Sequence, residues 1–418
     1  MRMSPTPLSH PAFRAVWLAS VFSFIGTWVQ DVGESWVMLS MSPDPRLVAM
    51  LATCFLGPML VLTLPAGLLA DRLDRRRLLL WSQALSAAAA AGPAVAMRMH
   101  HMTPAVLLAC TAVLGAAVAL GSPAWATLVP ELLPREKTHE AVTLGSIAFN
   151  IARVVGPALG GVLLAATSAE ATFVVNAVSF LAVFWVLWRY EDVRAASAVE
   201  RPPSESKLVL AFAEPFGEVW RTLRGPFAAG GAFAASASIV LAILPAFAKH
   251  SLGASASGYG ALLSALGGGA IVSGLRLTWV RSRLGARATV ATGMATYGTA
   301  LAFASHAGHV ARAVPFFFVA GLGWVAALST LSATVQLTAN TATKSRVTAL
   351  YQLNFYAAAT LGAAVGGALA GRFGEPDAVA AGALGCLVAA AVAARALQRM
   401  GADSIAPGAP SSPERAVQ

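Results

Sequence analysis

Three ionisable residues sit in surroundings that normally exclude charge. Asp31 and Glu34 lie three apart in a run that is otherwise almost wholly apolar, 13–41, and Arg153 lies in another, 140–166. A spacing of three puts two side chains on neighbouring faces of one helix. A carboxyl withdrawn from water can take up and release a proton, and a guanidinium within reach tunes that exchange. The expected chemistry is therefore reversible protonation of Asp31 or Glu34, with Arg153 as the tuning partner. At 1.5 Å per residue, Asp31 lies about 25 Å along its helix from Arg14 and Arg153 about 20 Å from Glu140. Those depths are compatible with pairing.

Other chemistries lack their residues. A phosphate-cradling loop needs glycines before Lys-Ser/Thr, and Lys137 and Lys344, the two Lys followed by Thr or Ser, lack them. Neither His-Glu-x-x-His nor Gly-x-Ser-x-Gly occurs, so no hydrolase is expected. Cys54, Cys110 and Cys386 fall inside apolar runs without metal-ligand spacing, and His100 and His101 lie in a loop. We expect no enzyme, no cofactor beyond a proton gradient and no metal.

The elements that must carry the acids follow from composition. Of 418 residues 57% are hydrophobic and only 11% charged, with mean hydropathy +0.68, which places the chain among membrane proteins. The net charge of +10 does not form the basic face of a nucleic-acid binder, because the Arg residues stand between apolar segments. A crossing needs about 20 apolar residues. That ruler gives twelve spans: 13–41, 46–70, 76–97, 103–129, 140–166, 171–188, 226–248, 257–280, 286–306, 311–338, 346–373 and 377–399. The fold class expected is an all-α membrane protein of two pseudo-symmetric six-helix bundles, 1–188 and 226–400. A cytoplasmic linker, 189–225, joins them, and a disordered cytoplasmic tail, 401–418, follows. Within the linker Leu208, Phe212, Phe216, Val219, Trp220 and Leu223 recur at helical spacing and suggest an amphipathic segment on the inner membrane face. If the N-terminus is cytoplasmic, outer loops hold five Lys/Arg (Arg46, Arg98, Lys249, Arg312, Arg372), Arg153 is intramembrane, and the other 23 of 29 are inside. That asymmetry sets the orientation, with both termini cytoplasmic.

The halves also look duplicated. Gly156-Pro-Ala-Leu-Gly-Gly161 aligns with Gly362-Ala-Ala-Val-Gly-Gly367 at an offset of 206, which also carries Arg75 onto Arg281 and Leu78 onto Leu284. Parallel repeats of six helices are a transporter signature.

The stretch Gly67-Leu-Leu-Ala-Asp-Arg-Leu-Asp-Arg-Arg-Arg-Leu78 resembles the signature loop of the major facilitator superfamily, with Gly67, Asp71, Arg72, Arg75 and Arg76 on signature positions and Asp74 replacing a glycine. That departure, with "GTWVQDVGESWVM", "SPAWATLVPELLPRE" and "FNIARVVGPALGG", resembles the enterobactin-exporter-like, or transmembrane secretion effector, branch of efflux permeases. The resemblance implies that Gly67 permits close helix approach and that Asp71 latches onto the start of the eleventh span near Arg346. It also implies that Gly156, Pro157, Gly160 and Gly161 form an antiporter motif. Family cavities further point to Trp28, Gln30, Trp36, Trp125, Phe149, Asn150, Tyr351, Gln352, Asn354 and Tyr356 as cargo contacts. The function implied is proton-coupled, alternating-access export of a small amphipathic molecule, such as a siderophore, antibiotic or metabolite, by a monomer in a bacterial inner membrane. Its partners are lipid, cargo and protons, not nucleic acid. The alternative is a membrane sensor or assembly partner that keeps the fold without transporting.

Overall fold

The computed structural model describes residues 6–193, 217–338 and 344–397; the side chains at 71, 130, 135, 139, 217–222 and 344–346 are outside that description. Among the described residues eleven long helices run in order: α1 Pro11–Met41, α2 Pro45–Arg72, α3 Arg75–Arg98, α4 Pro104–Glu131, α5 Thr138–Ala166, α6 Ala169–Arg189, α7 Gly217–Ala246, α8 Ala256–Ala304, α9 Val310–Thr338, α10 Lys344–Phe373 and α11 Glu375–Ala396. They make twelve crossings. The 49 residues of α8 are too many for one bilayer crossing of about 20 residues. Gly285 breaks them with φ 74° and ψ 162°, a conformation glycine adopts without a Cβ clash. The expected eighth and ninth spans are thus joined through a glycine corner.

Local signals start the helices. Pro45 follows Asp44, whose carboxylate accepts the Arg46 amide at 2.9 Å. Asp74 caps α3 by accepting the Arg77 amide at 3.0 Å, and Ser255 caps α8 by accepting from Gly258 at 3.2 Å. Each cap satisfies an amide that has no partner within its helix. Large apolar side chains such as Trp81 and Leu275 remain more than three-quarters exposed, as expected of faces turned to lipid rather than water. One expectation changes here. The helical backbone of α7 already runs from Gly217, and Leu223 is buried in its bundle. The end of the supposed amphipathic segment is therefore the first turns of a spanning helix, while Leu208, Phe212 and Phe216 lie outside the described residues.

Two bundles of six crossings share one packing scheme. In the first, α1 packs on α5 and α6, α4 on α2 and α3, and α3 on α6. In the second, α7 packs on α10 and α11, α9 on both stretches of α8, and the second stretch of α8 on α11. Glycines register the repeat. A methyl added at Gly156 or Gly160 would strike α1 at Ile25, Trp28 and Val29, and one at Gly362 or Gly366 would strike α7 at Ala235 and Ile239. The glycines keep the offset of 206, but their partners are related by 210, one helical turn more. A single offset therefore does not extend to the first helix of each half.

Even crossings put the start of α1, the α2–α3 turn and the end of α11 at one face, the terminal face; the α1–α2 turn marks the far face. The bundles touch where α5 meets α8 and α2 meets α10. A methyl on Gly161 would lie 2.8 Å from the Ala256 carbonyl oxygen, and one on Gly367 would lie 2.7 Å from the Ala49 Cβ, both near the far face. Among the described residues nothing lies within 4 Å of a methyl on Gly67 or Gly274, nearer the terminal face. The seam is closed at the far face, and it opens toward the terminal face.

Candidate functional site

Glu34 faces the interior of the first bundle. It is 8% exposed, and its carboxylate accepts from Thr111 Oγ1 of α4 at 3.2 Å and from Gln30 Nε2 at 3.5 Å. Gln30 Oε1 accepts in turn from Asn176 Nδ2 of α6 at 2.7 Å, and Asn176 Oδ1 accepts from Ser179 at 3.1 Å and Thr27 at 3.5 Å. The chain of polar groups ties α1, α4 and α6 together. Glycines make room for it. Methyls at Gly26 and Gly33, seven apart on α1, would collide with Ser179, Asn176 and Thr172 of α6.

This network can respond to a proton. Thr111 Oγ1 has one hydrogen and two acceptors in range, Glu34 at 3.2 Å and the Leu107 carbonyl at 3.0 Å. A charged Glu34 holds that hydrogen; a protonated Glu34 can release it to Leu107 and donate its own. The end of the polar chain thus has two hydrogen-bond arrangements that differ by one proton.

Asp31 points elsewhere, toward the seam. Asp31 shares a helix face with Ser35, four residues on, and Tyr259 of α8, in the other bundle, lies within electrostatic range of both Asp31 and Glu34. Nearer the far face, Lys249 Nζ crosses from the second bundle to donate to the Leu39 carbonyl at 3.1 Å and sits 5.3 Å from the Trp36 ring centroid. A lysine there satisfies a carbonyl at the end of α1 and complements the negative end of the helix dipole.

Arg153 does not pair with either acid. The ion pairs among described residues are Arg75–Glu131, Arg98–Glu170 and His250–Glu375. Arg153 instead stacks 5.2 Å over the Trp324 ring of α9. Register explains the difference. Gly160 packs on Val29, so Asp31 is level with the residues just after Gly160, and Arg153 stands about 12 Å short of it along α5.

Several expected cargo contacts are structural. Gln30 belongs to the buried network, and Trp125 packs on the apolar cluster around Leu78, Leu128 and Leu187. Trp36 lies under Lys249. Tyr351 packs edge-on against Phe227 at 5.5 Å, and Asn354 donates to the Phe227 carbonyl at 3.0 Å. Trp28, Asn150 and Tyr356 are partly exposed, and Phe149 and Gln352 are exposed. Phe149 meets Phe24 at 5.7 Å. Asn176, Thr111, Ser179 and Thr27 escaped sequence reasoning; the signal for them was the Gly26/Gly33 pair opposite an Asn in an apolar run.

At the terminal face, Arg76 donates to the Leu187 and Trp188 carbonyls at 2.9 and 2.6 Å, closing the end of α6. Arg75 approaches Glu131 of α4 at 3.6 Å, and Arg72 is exposed. Gly67 makes no close helix approach, since nothing lies within 4 Å of an added methyl. The bundles are apart at that depth. The side chains of Asp71 and Arg346 lie outside the described residues.

A family model described as transmembrane secretion effector matches residues 3–417. A staphyloferrin A transporter of Staphylococcus aureus is 30% identical over 171 residues, 40% of this chain and 43% of that protein. A multidrug efflux pump of Mycobacterium tuberculosis is 32% identical over 177 residues, 41% of this chain and 42% of that protein. An enterobactin exporter of Shigella boydii is 28% identical over 161 residues, 38% of each chain. Each match spans less than half of the relative's length. Among solved structures, a bacterial homologue of the human lysosomal transporter Spinster superposes with TM-score 0.76 at 15% identity, covering 97% of this chain and all of that one. A D-xylose–proton symporter gives 0.70 at 13% identity over 93% and 97%. These likenesses concern the fold.

Proposed function

The chain belongs to the transmembrane secretion effectors of the major facilitator superfamily, and from that premise we propose that it exports a small amphipathic organic molecule by alternating access in exchange for protons. The observation that carries this reading is the asymmetric seam, sealed by Gly161 and Gly367 at one face and, among the described residues, open around Gly67 and Gly274 toward the other. Of the two α1 acids, Asp31 lies beside it and Glu34 faces the first bundle. The terminal face is cytoplasmic in this reading, as the Lys/Arg bias favours, and the membrane is a bacterial inner membrane. Cargo enters from the cytoplasm past Phe149, Asn150, Gln352, Tyr356 and Trp28. The relatives, transporters of siderophores and drugs by name, agree in kind.

Protons enter through Asp31 and Glu34. Asp31 lies within electrostatic range of Tyr259 of the other bundle, so its charge bears on the seam; Glu34 ties α1 to α4 and, through Gln30 and Asn176, to α6. A proton that rearranges those contacts changes how α1 meets the second bundle. In the opposite conformation Asp71 would face the start of α10 near Arg346, where a carboxylate gains from the positive helix end.

The test is extrusion of a neutral lipophilic dye, Nile red, in everted membrane vesicles with an imposed pH gradient. Vesicles containing the wild-type chain accumulate dye, and Asp31→Asn vesicles with equal protein content do not. Undiminished gradient-driven accumulation in Asp31→Asn removes proton coupling through this residue, and no accumulation by the wild type removes export itself.

A further inference from the structure

We infer that Arg153 and the aromatic wall it leans on form a binding site for the oxyanion of a flat organic anion. As a statement about cargo this rests on the export reading above; as a statement about a site it does not. Trp324, Tyr297 and Phe233 form a cluster with ring centroids 5.3–5.8 Å apart, drawn from α9, the second stretch of α8, and α7. Arg153 reaches into it from α5 of the other bundle, its guanidinium 5.2 Å over the Trp324 centroid. The guanidinium makes no hydrogen bond or ion pair with any described residue. The hydroxyl of Tyr297, a side chain with 0% exposure, is also without a partner.

A guanidinium at membrane depth, only partly exposed, is costly when unpaired. The cation–π contact with Trp324 uses none of the five N–H donors, which are left for a bidentate oxyanion. No acid meets it because Asp31 stands further along toward the far face, so the missing negative charge falls to a ligand. The place is right for one. Ser264 of α8 bonds the Val154 carbonyl at 2.8 Å, and a methyl on Gly267 would lie 2.9 Å from the Arg153 carbonyl. Two turns nearer the terminal face on the same stripe of α8 as Gly267, Gly274 meets nothing among the described residues. Arg153 therefore sits where the seal between bundles ends and the cleft begins, and both Arg153 and Trp324 keep partial exposure. An occupant touches both bundles at once, so its binding discriminates between their arrangements. A cationic molecule would be repelled there, whereas an aromatic carboxylate fits both the fork and the ring.

The test is calorimetric binding of 2-naphthoate and its neutral isostere 2-naphthamide to the purified full chain in detergent, without any gradient. Wild type should bind naphthoate at least about tenfold more tightly than naphthamide. Arg153→Gln should lose that preference, and Arg153→Lys, which keeps charge without the fork, should retain part of it. Arg98→Gln, at a side chain 84% exposed, should change nothing. Equal affinity for the two ligands on wild type, no binding of naphthoate, or full naphthoate affinity in Arg153→Gln overturns the site. The wild-type comparison needs no variant to fold. Failure here leaves Nile red extrusion and its dependence on Asp31 standing, and failure of extrusion leaves the binding result standing.

Discussion

Enlarging Gly161 should push the molecule out of the conformation described. A methyl there would lie 2.8 Å from both the Ala256 carbonyl oxygen and the Ser257 Cα, about half an ångström inside ordinary contact, which begins at 3.4 Å. Both obstacles are backbone of the other bundle and cannot rotate away, so the far-face seam itself must open. Overpacking of this kind costs about 1–3 kcal/mol, equivalent to a shift of about 5- to 150-fold in a two-state equilibrium. In a conformation open at the far face the two surfaces separate and the cost disappears. Gly161→Ala should therefore shift the population modestly and Gly161→Val strongly. The readout is the electron–electron distance between spin labels at exposed far-face positions 101 and 312, one in each bundle, in lipid nanodiscs. Gly145→Val is the internal control, because its added atoms meet open space. Unchanged distances in Gly161→Val, or equal changes in Gly145→Val, would refute the reasoning.

Three further outcomes follow from the same contacts. Lys249→Met removes the donor to the Leu39 carbonyl and the cation over Trp36; the labels at 101 and 312 should separate, by less than in Gly161→Val because one hydrogen bond is worth about 0.5–1.5 kcal/mol. Asn176→Ala strips Gln30 Oε1 of its 2.7 Å donor at a buried site, which should destabilise the protein by about 1–3 kcal/mol and lower its melting temperature by several degrees, read by tryptophan fluorescence. Arg76→Ala should lower the melting temperature because it frees the Leu187 and Trp188 carbonyls, whereas Arg72→Ala, at an exposed residue, should not; equal effects would mean that the basic loop acts through charge alone.

How much was legible depended on whether a signal was local. The spans were, because a crossing announces itself as an unbroken apolar run, and the break at Gly285 fell between two such runs. The glycine motifs were legible as small-residue seams, and the structure seats Gly156, Gly160, Gly362 and Gly366 against α1 and α7. Direction around the helix was not. Helices that are apolar on all sides carry little periodic signal of which face meets cavity, bundle or lipid, so the sequence does not separate Gln30 and Tyr351, which are buried, from Trp36 and Asn354, which stay partly exposed. Depth failed for Arg153 because counting from helix starts ignores the register that Gly160 and Val29 impose. Asn176 and Thr111, single polar residues in apolar runs, become meaningful only once folding brings them to Glu34.

The central claim is that acids on α1 govern which face of the seam is open. Its most direct test follows two label pairs in one wild-type sample as the medium is acidified: positions 101 and 312 at the far face, and exposed positions 77 and 283 at the terminal face. The account predicts that one distance lengthens while the other shortens, and that Asp31→Asn combined with Glu34→Gln abolishes the response. Distances that stay fixed, that move in the same sense, or that respond unchanged in the double variant would contradict it.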